Sequence, residues 1–447
     1  MAGEGWGEGE LKKGEETPRR DHTGREDMSM TITERILAAH AGKGGVTPGE
    51  IINVQVDVVM VHDLGADLAI DSFREIGAKR VFNPEKIVLV IDHLVPAKNA
   101  ISAAATRKMR QFAREQGIEY YEVGRTGICH VFLPEQGLVL PGDVLVGSDS
   151  HTGTYGALGS FSVGMGSTDI AAAMATGDTW MKVPPSIQFV YHGKPGKWIG
   201  GKDLILYTLG QIGVDGALYS AMEFTGEAVQ ALPMDGRLTM CNMAVEAGAK
   251  AGIIGVDSKT LDYLKPRAKR PYKVFASDED ARYARVYEWD VSHLEPQVAF
   301  PFLPANTRPI SQVGEVRIEQ AVVGSCTNGR LDDLRVAAEV IRGRKVHPDV
   351  RFIINPGTQQ VYLDALREGL LEIFIEAGAV ISTPTCDPCS GAHMWLLAPG
   401  ERCIATTNRN FVNRMGGDGS EVYLAGPAVA AASAIMGKIG SPEEVVR

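Results

Sequence analysis

Short, nearly continuous apolar segments alternate with helical patterns from about residue 30 to the C-terminus. Helical patterns such as "TDIAAAMATGDTW" and "DDLRVAAEVIRG" separate several of the apolar segments. Apolar strands separated by helices are typical of parallel sheets in α/β proteins. The pattern therefore predicts an α/β fold with strands in "INVQVDVVMVHD", "KIVLVIDH", "GDVLVGSDSHTG", "SIQFVYHG", "IEQAVVGSCTNG", "RFIINPGT", "GAVISTPTCDPC" and "ERCIATTNRN".

The first helix is predicted in "MTITERILAAHAG". Thr31 and Glu34 have the spacing of a capping box, and Gly42 follows the apolar-periodic positions. The folded part of the chain is therefore expected to begin at about residue 30.

Five of the apolar runs end in polar or reactive residues. In open parallel sheets, ligands bind at the carboxyl ends of the strands. We therefore expect the five polar segments to converge on one composite site. They are Asp92 with His93, residues 148–152, 325–328 and 383–389, and residues 408–410.

The amino-acid composition limits the cellular location and the kinds of partner that can be expected. Six cysteines in 447 residues do not make a disulfide framework, and they favour a reducing, cytoplasmic location. The net charge of −10 speaks against a nucleic-acid partner. Neither a secretory signal nor an apolar run of about 20 residues is present, so no membrane segment is expected.

The chain is expected to divide into three parts. Residues 1–29 are Gly-rich and charged, and they are predicted to be a disordered extension. A polar, Pro-containing region precedes residue 315. We therefore expect two α/β domains within residues 30–314, with an uncertain boundary between them, and a last α/β domain at 315–447.

The stretch "STPTCDPCSGAH" contains Cys386 and Cys389 two residues apart. Four interpretations are open: a pair of core thiols, a redox dithiol, a zinc site completed by Cys326 and His393, or an iron–sulfur cluster held by Cys326 and these two cysteines. Arg409 and Arg414 can bind carboxylates through their guanidinium groups. Acids, bases and such arginines together favour a reactive metal centre over a structural zinc.

Four motifs in order, "GSDSHTGTYGALGSFSVGMGSTD", "GSCTNGRLDDL", "PTCDPCSGAH" and "TTNRNFVNRMG", closely resemble the aconitase superfamily. Within it, they resemble the large subunits of the 3-isopropylmalate dehydratase and homoaconitase type. The resemblance runs from about Met30 to the C-terminal "YLAGPAVAAASAIMGKIG". It implies a three-domain α/β architecture with parallel sheets around a central cluster cleft, without the family's swivel domain.

The resemblance also implies roles for individual residues. Cys326, Cys386 and Cys389 match the ligands of one 4Fe-4S cluster, in which one iron has no protein ligand. Asp92 and His93 match the pair that protonates the departing hydroxyl. The further matches are His130, Asp149, His151 and Glu246 as catalytic residues, and Ser150, Asn242, Asn408, Arg409 and Arg414 as residues that bind the substrate or lie beside the cluster.

The sequence differs from the single-chain aconitases in two features. The "GSSRE"-like motif of the swivel domain, with its catalytic serine, is missing. A separate small subunit is therefore expected to supply the serine and a specificity loop. Aconitase also has a substrate-binding glutamine where the motif "VMVHDLGADLAIDSF" places Ala66 or a close neighbour, so citrate is not the expected substrate.

The expected function is the catalytic large subunit of an iron–sulfur hydro-lyase acting on a small hydroxy-diacid. The leading reaction is the isomerisation of 2-isopropylmalate and 3-isopropylmalate by dehydration and rehydration, in leucine biosynthesis. Homoaconitate and 2,3-dimethylmalate are the alternative substrates. A non-catalytic zinc-binding or RNA-binding role is a remote alternative. Cys129, Cys241 and Cys403 match no ligand position and are expected to be packing residues.

Overall fold

The computed structural model describes residues 29–446, so the predicted extension at 1–29 lies outside it except for Ser29. The predicted α/β class is confirmed, because the described residues form four sheets interleaved with helices. The strands are β1 (Ile51–Gln55), β2 (Val58–His62), β3 (Ile87–Val90), β4 (Tyr120–Tyr121), β5 (Val144–Gly147), β6 (Phe161–Gly164), β7 (Asp178–Lys182), β8 (Ser186–His192), β9 (Ala221–Thr225), β10 (Ala251–Ile253), β11 (Arg285–Asp290), β12 (Gln297–Ala299), β13 (Thr307–Pro309), β14 (Gln320–Val323), β15 (Arg351–Ile354), β16 (Val380–Ile381), β17 (Arg402–Ala405) and β18 (Glu421–Ala425).

The helices cover the sheets and connect parallel strands. They are α1 (Ile32–His40), α2 (Asp63–Glu75), α3 (Ala100–Gln116), α4 (Cys129–Gln136), α5 (Ser167–Thr176), α6 (Gly201–Ile212), α7 (Glu227–Ala231), α8 (Met234–Met243), α9 (Ser258–Leu264), α10 (Leu331–Ile341), α11 (Gln359–Arg367), α12 (Leu370–Ala377), α13 (Asp387–Ser390), α14 (Pro427–Met436) and α15 (Pro442–Val445). Short 3-10 helices lie at Pro84–Lys86, Ser150–Leu158, Ala244–Ala247 and Ile310–Gln312. None of the helices in the described chain is long and apolar enough to cross a membrane.

The predicted first helix is confirmed as α1. The Thr31 hydroxyl accepts a hydrogen bond from the Glu34 backbone N–H, and the Glu34 carboxylate accepts one from the Thr31 N–H at 2.7 Å. Gly42 has a φ of 65°, the left-handed conformation that favours glycine after a helix.

A five-stranded, all-parallel sheet has the order β4-β3-β2-β5-β6. Every residue of β2, β3 and β5 is buried. Helices α2, α3 and α5 pack together beside this sheet. Strands with both faces buried read as continuous apolar runs, which explains why the sequence pattern reveals them.

A seven-stranded sheet has the order β13-β12-β18-β17-β14-β15-β16. Strands β18, β17, β14, β15 and β16 are parallel, whereas β12 pairs antiparallel with both β13 and β18. Strands β12 and β13 precede residue 315, so this sheet includes strands from both sides of the predicted domain limit. The limit itself stays a prediction.

The remaining strands form a parallel four-stranded sheet, β10-β9-β8-β11, and an antiparallel pair, β1-β7. The 3-10 helix Ser150–Leu158 packs directly against β10. A Cβ atom on Gly156 would lie 1.7 Å from the carbonyl oxygen of Gly252 in β10. Only glycine allows this close approach, which places the polar segment after β5 beside β10 and α8.

Arg237 of α8 is fully buried and donates hydrogen bonds to both carboxylate oxygens of Asp257, at 2.8 and 2.6 Å. Replacing Arg237 with alanine removes the charged partner of the carboxylate and creates a cavity, so we expect a loss of about 3 kcal/mol in the free energy of unfolding. The matched control is Arg335→Ala, which breaks an exposed bidentate pair with Glu368 and should cost less than about 1 kcal/mol. Urea denaturation followed by circular dichroism measures both, and equal losses would contradict the expectation.

Candidate active site

The five polar segments predicted to share one site follow β3, β5, β14, β16 and β17. The first two strands belong to the five-stranded sheet and the other three to the seven-stranded sheet. The carbonyl oxygen of Asp92 accepts hydrogen bonds from the Cys386 N–H and the Thr385 hydroxyl, both at 2.9 Å. The carboxyl edges of the two sheets therefore meet at one place.

Asp92 and His93 follow β3 and are buried. One carboxylate oxygen of Asp92 lies 2.7 Å from His93 Nδ1, and the other accepts the Cys129 N–H at 2.8 Å. Burial opposes a charge on the imidazole, but the charge and hydrogen bond of Asp92 outweigh it and raise the pKa of His93 to about 10. His93 is therefore a protonated imidazolium at neutral pH, with Nδ1 occupied and Nε2 free to donate.

His62 and Asp63, at the junction of β2 and α2, join this pair although sequence reasoning missed them. The His62 ring packs against the His93 ring with a centroid distance of 4.5 Å and a tilt of 34° between the ring planes. Burial, together with the neighbouring charge of His93, lowers the pKa of His62 to about 4. Asp63 accepts the backbone N–H groups of His93 and Leu94 at 3.0 and 2.7 Å. The signal was present, because "HD" follows an apolar run just as Asp92 and His93 do.

The Asp149 carboxylate, after β5, lies among four imidazoles. His130 Nε2 is 2.8 Å from its Oδ1, and His151 Nδ1 is 3.5 Å from the same oxygen. The Nε2 atoms of His62 and His93 lie 3.6 and 3.8 Å from Oδ2. Burial alone would raise the pKa of Asp149, but His130 and the other imidazoles hold it well below its usual range. Asp149 is therefore an ionised acceptor.

Glu246 connects His151 to Arg409. Its Oε1 lies 2.7 Å from His151 Nε2 and accepts the Nε–H of Arg409 at 2.9 Å. Burial opposes the charge, but Asp149 and Glu246 raise the pKa of His151 to about 10. Ser150 is exposed at this position, with its hydroxyl 3.3 Å from His151 Nδ1.

Two asparagines join α8 to the cysteines. Asn242 Nδ2 donates to Thr154 Oγ1 at 2.8 Å, and its Oδ1 lies 3.3 Å from Asn408 Nδ2. Asn408 Nδ2 also lies 3.1 Å from Cys326 Sγ, and its Oδ1 accepts from Cys389 Sγ at 2.7 Å. The Asn408 amide therefore lies between two of the three candidate ligands.

Cys326, Cys386 and Cys389 are buried, free thiols. A hydrogen bond from the Cys386 thiol, together with nearby His151 and His130, lowers the pKa of Cys326 well below its usual range. Arg414 Nη2 lies 3.8 Å from Cys389 Sγ, and its buried Nε has no hydrogen-bond partner. Thiolates surrounded by donors are the form in which cysteine binds metals.

The spacing of these sulfurs bears on the zinc interpretation. Among the described residues, no three of Cys326, Cys386, Cys389 and His393 bring their donor atoms within 4.8 Å of one another. A zinc ion with bonds of about 2.3 Å to sulfur needs tetrahedral sulfur–sulfur distances of about 3.8 Å. The four donors that do lie within 4.8 Å of one another are His62, Asp63, Asp92 and His93. The carboxylates of that group already accept hydrogen bonds from protein N–H groups.

Other residues considered from the sequence lie in the core. Cys129, Cys241 and Cys403 are fully buried in apolar clusters. Trp395, close after Cys389 in the chain, is only half-buried; it packs against one of these clusters and donates its Nε1–H to Ser382 at 3.1 Å. Ala66 is buried in the core beside the five-stranded sheet, so its close neighbour His62, rather than Ala66, faces the site.

Every residue predicted for the site thus lies at this meeting of sheet edges, within a network of acids, imidazoles, arginines and thiols. Residues 34–437 match the family model described as "Aconitase family (aconitate hydratase)". The chain belongs to the aconitase family. The family implies an iron–sulfur cluster, and three buried thiols, one of them a thiolate, are a donor set that fits such a group.

Three relatives cover nearly the whole chain. A protein of Moorella thermoacetica named 3-isopropylmalate dehydratase large subunit is 61% identical over 94% of this chain and 100% of that protein. One of the same name from Thermodesulfovibrio yellowstonii is 60% identical over 94% and 100%. The 3-isopropylmalate dehydratase large subunit 1 of Pyrococcus furiosus is 59% identical over 94% and 99%. The holo-form crystal structure of Thermococcus kodakaraensis aconitase X matches 85% of this chain and 93% of that chain, with a TM-score of 0.47 and 14% identity.

The raised pKa of His93 gives a prediction. The wild-type imidazole should remain protonated until the pH approaches 10. Because this pKa lies above 6.5, the stability from the charged pair is fully present below about pH 6.5 and is lost as the pH rises through 10. In Asp92→Asn the favourable charge is removed while the burial remains, so the pKa of His93 should fall by several units.

Histidine-selective NMR titration of the full chain measures this change. His40 is an internal control, because its Nε2 lies 2.7 Å from Asp57, outside the site. Its titration should not change in Asp92→Asn. An unchanged His93 titration in the variant would refute the assignment of Asp92 as the cause.

Proposed function

We propose that this chain is the catalytic large subunit of an iron–sulfur hydro-lyase that interconverts 2-isopropylmalate and 3-isopropylmalate, a step of leucine biosynthesis. The observation that carries the proposal is the contact of the two sheet edges, where the Cys386 N–H donates to the Asp92 carbonyl at 2.9 Å. This contact puts a candidate proton donor beside the candidate metal ligands. The names of relatives that are 59–61% identical over almost their full length support the substrate.

The proposed cofactor is one 4Fe-4S cluster held by Cys326, Cys386 and Cys389, with one iron free of protein ligands. When bound, such a cluster supplies a Lewis acid that polarises the hydroxyl group of the substrate. Asn408 and Arg414 lie against the sulfurs of the cysteines. Their polar hydrogens can stabilise the negative charge of the thiolates.

His93 is proposed as the acid that protonates the departing hydroxyl. Asp92 occupies Nδ1, so the transferable proton is on Nε2. That atom lies on the Asp149 side of the ring, 3.8 Å from Oδ2. The proposed catalytic group also includes two carboxylates, Asp149 and Glu246, which hold the imidazoles in place. It is completed by His130 and His151, and the group would bind the departing or attacking water.

The substrate is a dicarboxylate, and the proposed binding residues are Ser150, Asn242, Asn408, Arg409 and Arg414. Glu246 accepts only the Nε–H of Arg409, so the rest of that guanidinium group remains available for a carboxylate. Fixed carboxylates direct the elimination and the re-addition of water to defined carbon atoms.

We propose a separate small subunit as the partner. It would carry the swivel domain, the serine that removes the carbon-bound proton, and the loop that selects the substrate. The three free thiols proposed as ligands are consistent with a reducing, cytoplasmic location. Homoaconitate and 2,3-dimethylmalate are disfavoured by the names of the relatives. The names of the relatives and the family also disfavour a non-catalytic zinc-binding or RNA-binding protein.

The test begins with iron and acid-labile sulfide in protein prepared without oxygen. About four of each per chain are expected. The protein is then mixed with the small subunit, and formation of the unsaturated intermediate from 3-isopropylmalate is followed in the ultraviolet, with homoaconitate and 2,3-dimethylmalate in parallel. Turnover of isopropylmalate alone supports the proposal. Zinc without sulfide would overturn the assignment of the cofactor. Preference for another diacid would overturn the assignment of the substrate.

The cluster ligands can be tested with a pair of buried cysteines. Cys386→Ser should lower iron and sulfide to a small fraction of the wild-type content and abolish activity, because a serine hydroxyl does not replace a thiolate ligand. Cys403→Ser is the control, since Cys403 is equally buried in β17 but lies outside the ligand set. If Cys386→Ser retained full iron content, the ligand assignment would be wrong.

The role of Arg409 in a carboxylate clamp, meaning the guanidinium groups proposed to bind the substrate carboxylates, can be tested by Arg409→Lys. An ammonium group cannot form the planar fork, so kcat/KM should fall roughly 10- to 100-fold with iron content unchanged. Arg402→Lys is the matched control, because Arg402 lies in the preceding strand and pairs with Glu421 at 3.3 Å, away from the site. Equal kinetics for both variants would remove Arg409 from the clamp.

A further inference from the structure

Tyr155 has no place in the proposed reaction, yet its hydroxyl reaches into the group of imidazoles. It belongs to the 3-10 helix Ser150–Leu158 and is fully buried. Its hydroxyl oxygen lies 3.0 Å from His130 Nδ1, and the two ring centroids are 5.4 Å apart. The same hydroxyl can also donate to the carbonyl oxygen of Cys129, at the longer distance of 3.4 Å.

The opposite edge of the His130 ring faces Asp149. His130 Nε2 lies 2.8 Å from Asp149 Oδ1, which also accepts the backbone N–H of His151 at 2.7 Å. Asp149 is an ionised carboxylate, which accepts hydrogen bonds and donates none. Nε2 must therefore carry a proton, and Nδ1 is the ring nitrogen that faces the Tyr155 hydroxyl.

A phenol is the partner that an unprotonated Nδ1 needs. Burial, followed by the negative groups nearby, raises the pKa of Tyr155 above its ordinary value, so its hydroxyl keeps its proton. His130 itself is 1% exposed, so water does not replace a missing partner. The backbone of His130 is held independently, because Arg330 Nη2 donates to its carbonyl oxygen at 3.0 Å.

We propose that Tyr155 is a positioning residue, which holds His130 in the tautomer and orientation that directs the Nε2–H at Asp149. The Tyr155 hydroxyl and the Asp149 carboxylate form hydrogen bonds with opposite edges of the His130 ring. The ring can therefore neither flip nor exchange tautomers without losing a hydrogen bond. The consequence for catalysis rests on the proposed function, whereas the tautomer of His130 does not.

The experiment has a structural arm that needs neither substrate nor cofactor. In the full chain with ¹⁵N-labelled histidine, the His130 resonances are assigned by their loss in His130→Gln. The wild type should show a protonated Nε2 and an unprotonated, hydrogen-bonded Nδ1. In Tyr155→Phe the Nδ1 resonance should move to the position of an unbonded nitrogen, or both nitrogens should broaden by exchange. Tyr191→Phe is the matched control, since Tyr191 is also fully buried and bonds Thr208 at 2.6 Å elsewhere.

The kinetic arm uses the holoenzyme with its small subunit. Tyr155→Phe should lower kcat about tenfold, the effect of one buried hydrogen bond, with KM changed less than twofold. Tyr191→Phe should leave both constants unchanged. A wild-type His130 with its proton on Nδ1 would overturn the proposal even if Tyr155→Phe did not fold. Identical His130 resonances in the wild type and Tyr155→Phe would also overturn it, whether or not the enzyme turns over isopropylmalate.

Discussion

The arrangement of this site depends on one buried negative charge. Transfer of a carboxylate from water into a protein interior costs several kcal/mol unless donors surround it. Asp149 is compensated by imidazoles from four separate segments: His62 at the end of β2, His93 after β3, His130 in α4 and His151 after β5. The four segments therefore share one partner in the Asp149 carboxylate. The charge thus acts as a common centre that specifies where four chain segments meet.

The imidazoles around this centre do not share one protonation state. His93 and His151 each have a second carboxylate, Asp92 and Glu246, and both are held as cations. His62 has no second carboxylate, packs against charged His93 and remains neutral. The neighbouring groups, rather than burial alone, decide which rings carry protons, because all of these rings are buried. One small volume therefore contains both proton donors and neutral hydrogen-bonding groups.

The α/β class and the convergence of polar segments could be read from the sequence, since buried parallel strands appear as apolar runs whose ends carry the reactive residues. The three cysteines were recognisable from their motifs. Tyr155 was not, because a tyrosine in a Gly-rich segment has no periodic or spacing signal. His62 has the same strand-end position as Asp92 and His93 but belongs to none of the four motifs. Their importance depends on contacts with residues about 30 positions away, such as His93 and His130. The pairing of β12 with β18 is equally non-local.

Asp92 belongs to two interactions at once. Its side chain orients His93, while its backbone carbonyl oxygen is bonded by Thr385 and by the N–H of Cys386. The cysteine loop and the histidine are therefore mechanically connected through a single residue. A substitution that displaces this loop would therefore also disturb the backbone that carries His93, so the effects of changes in the two segments should not be additive.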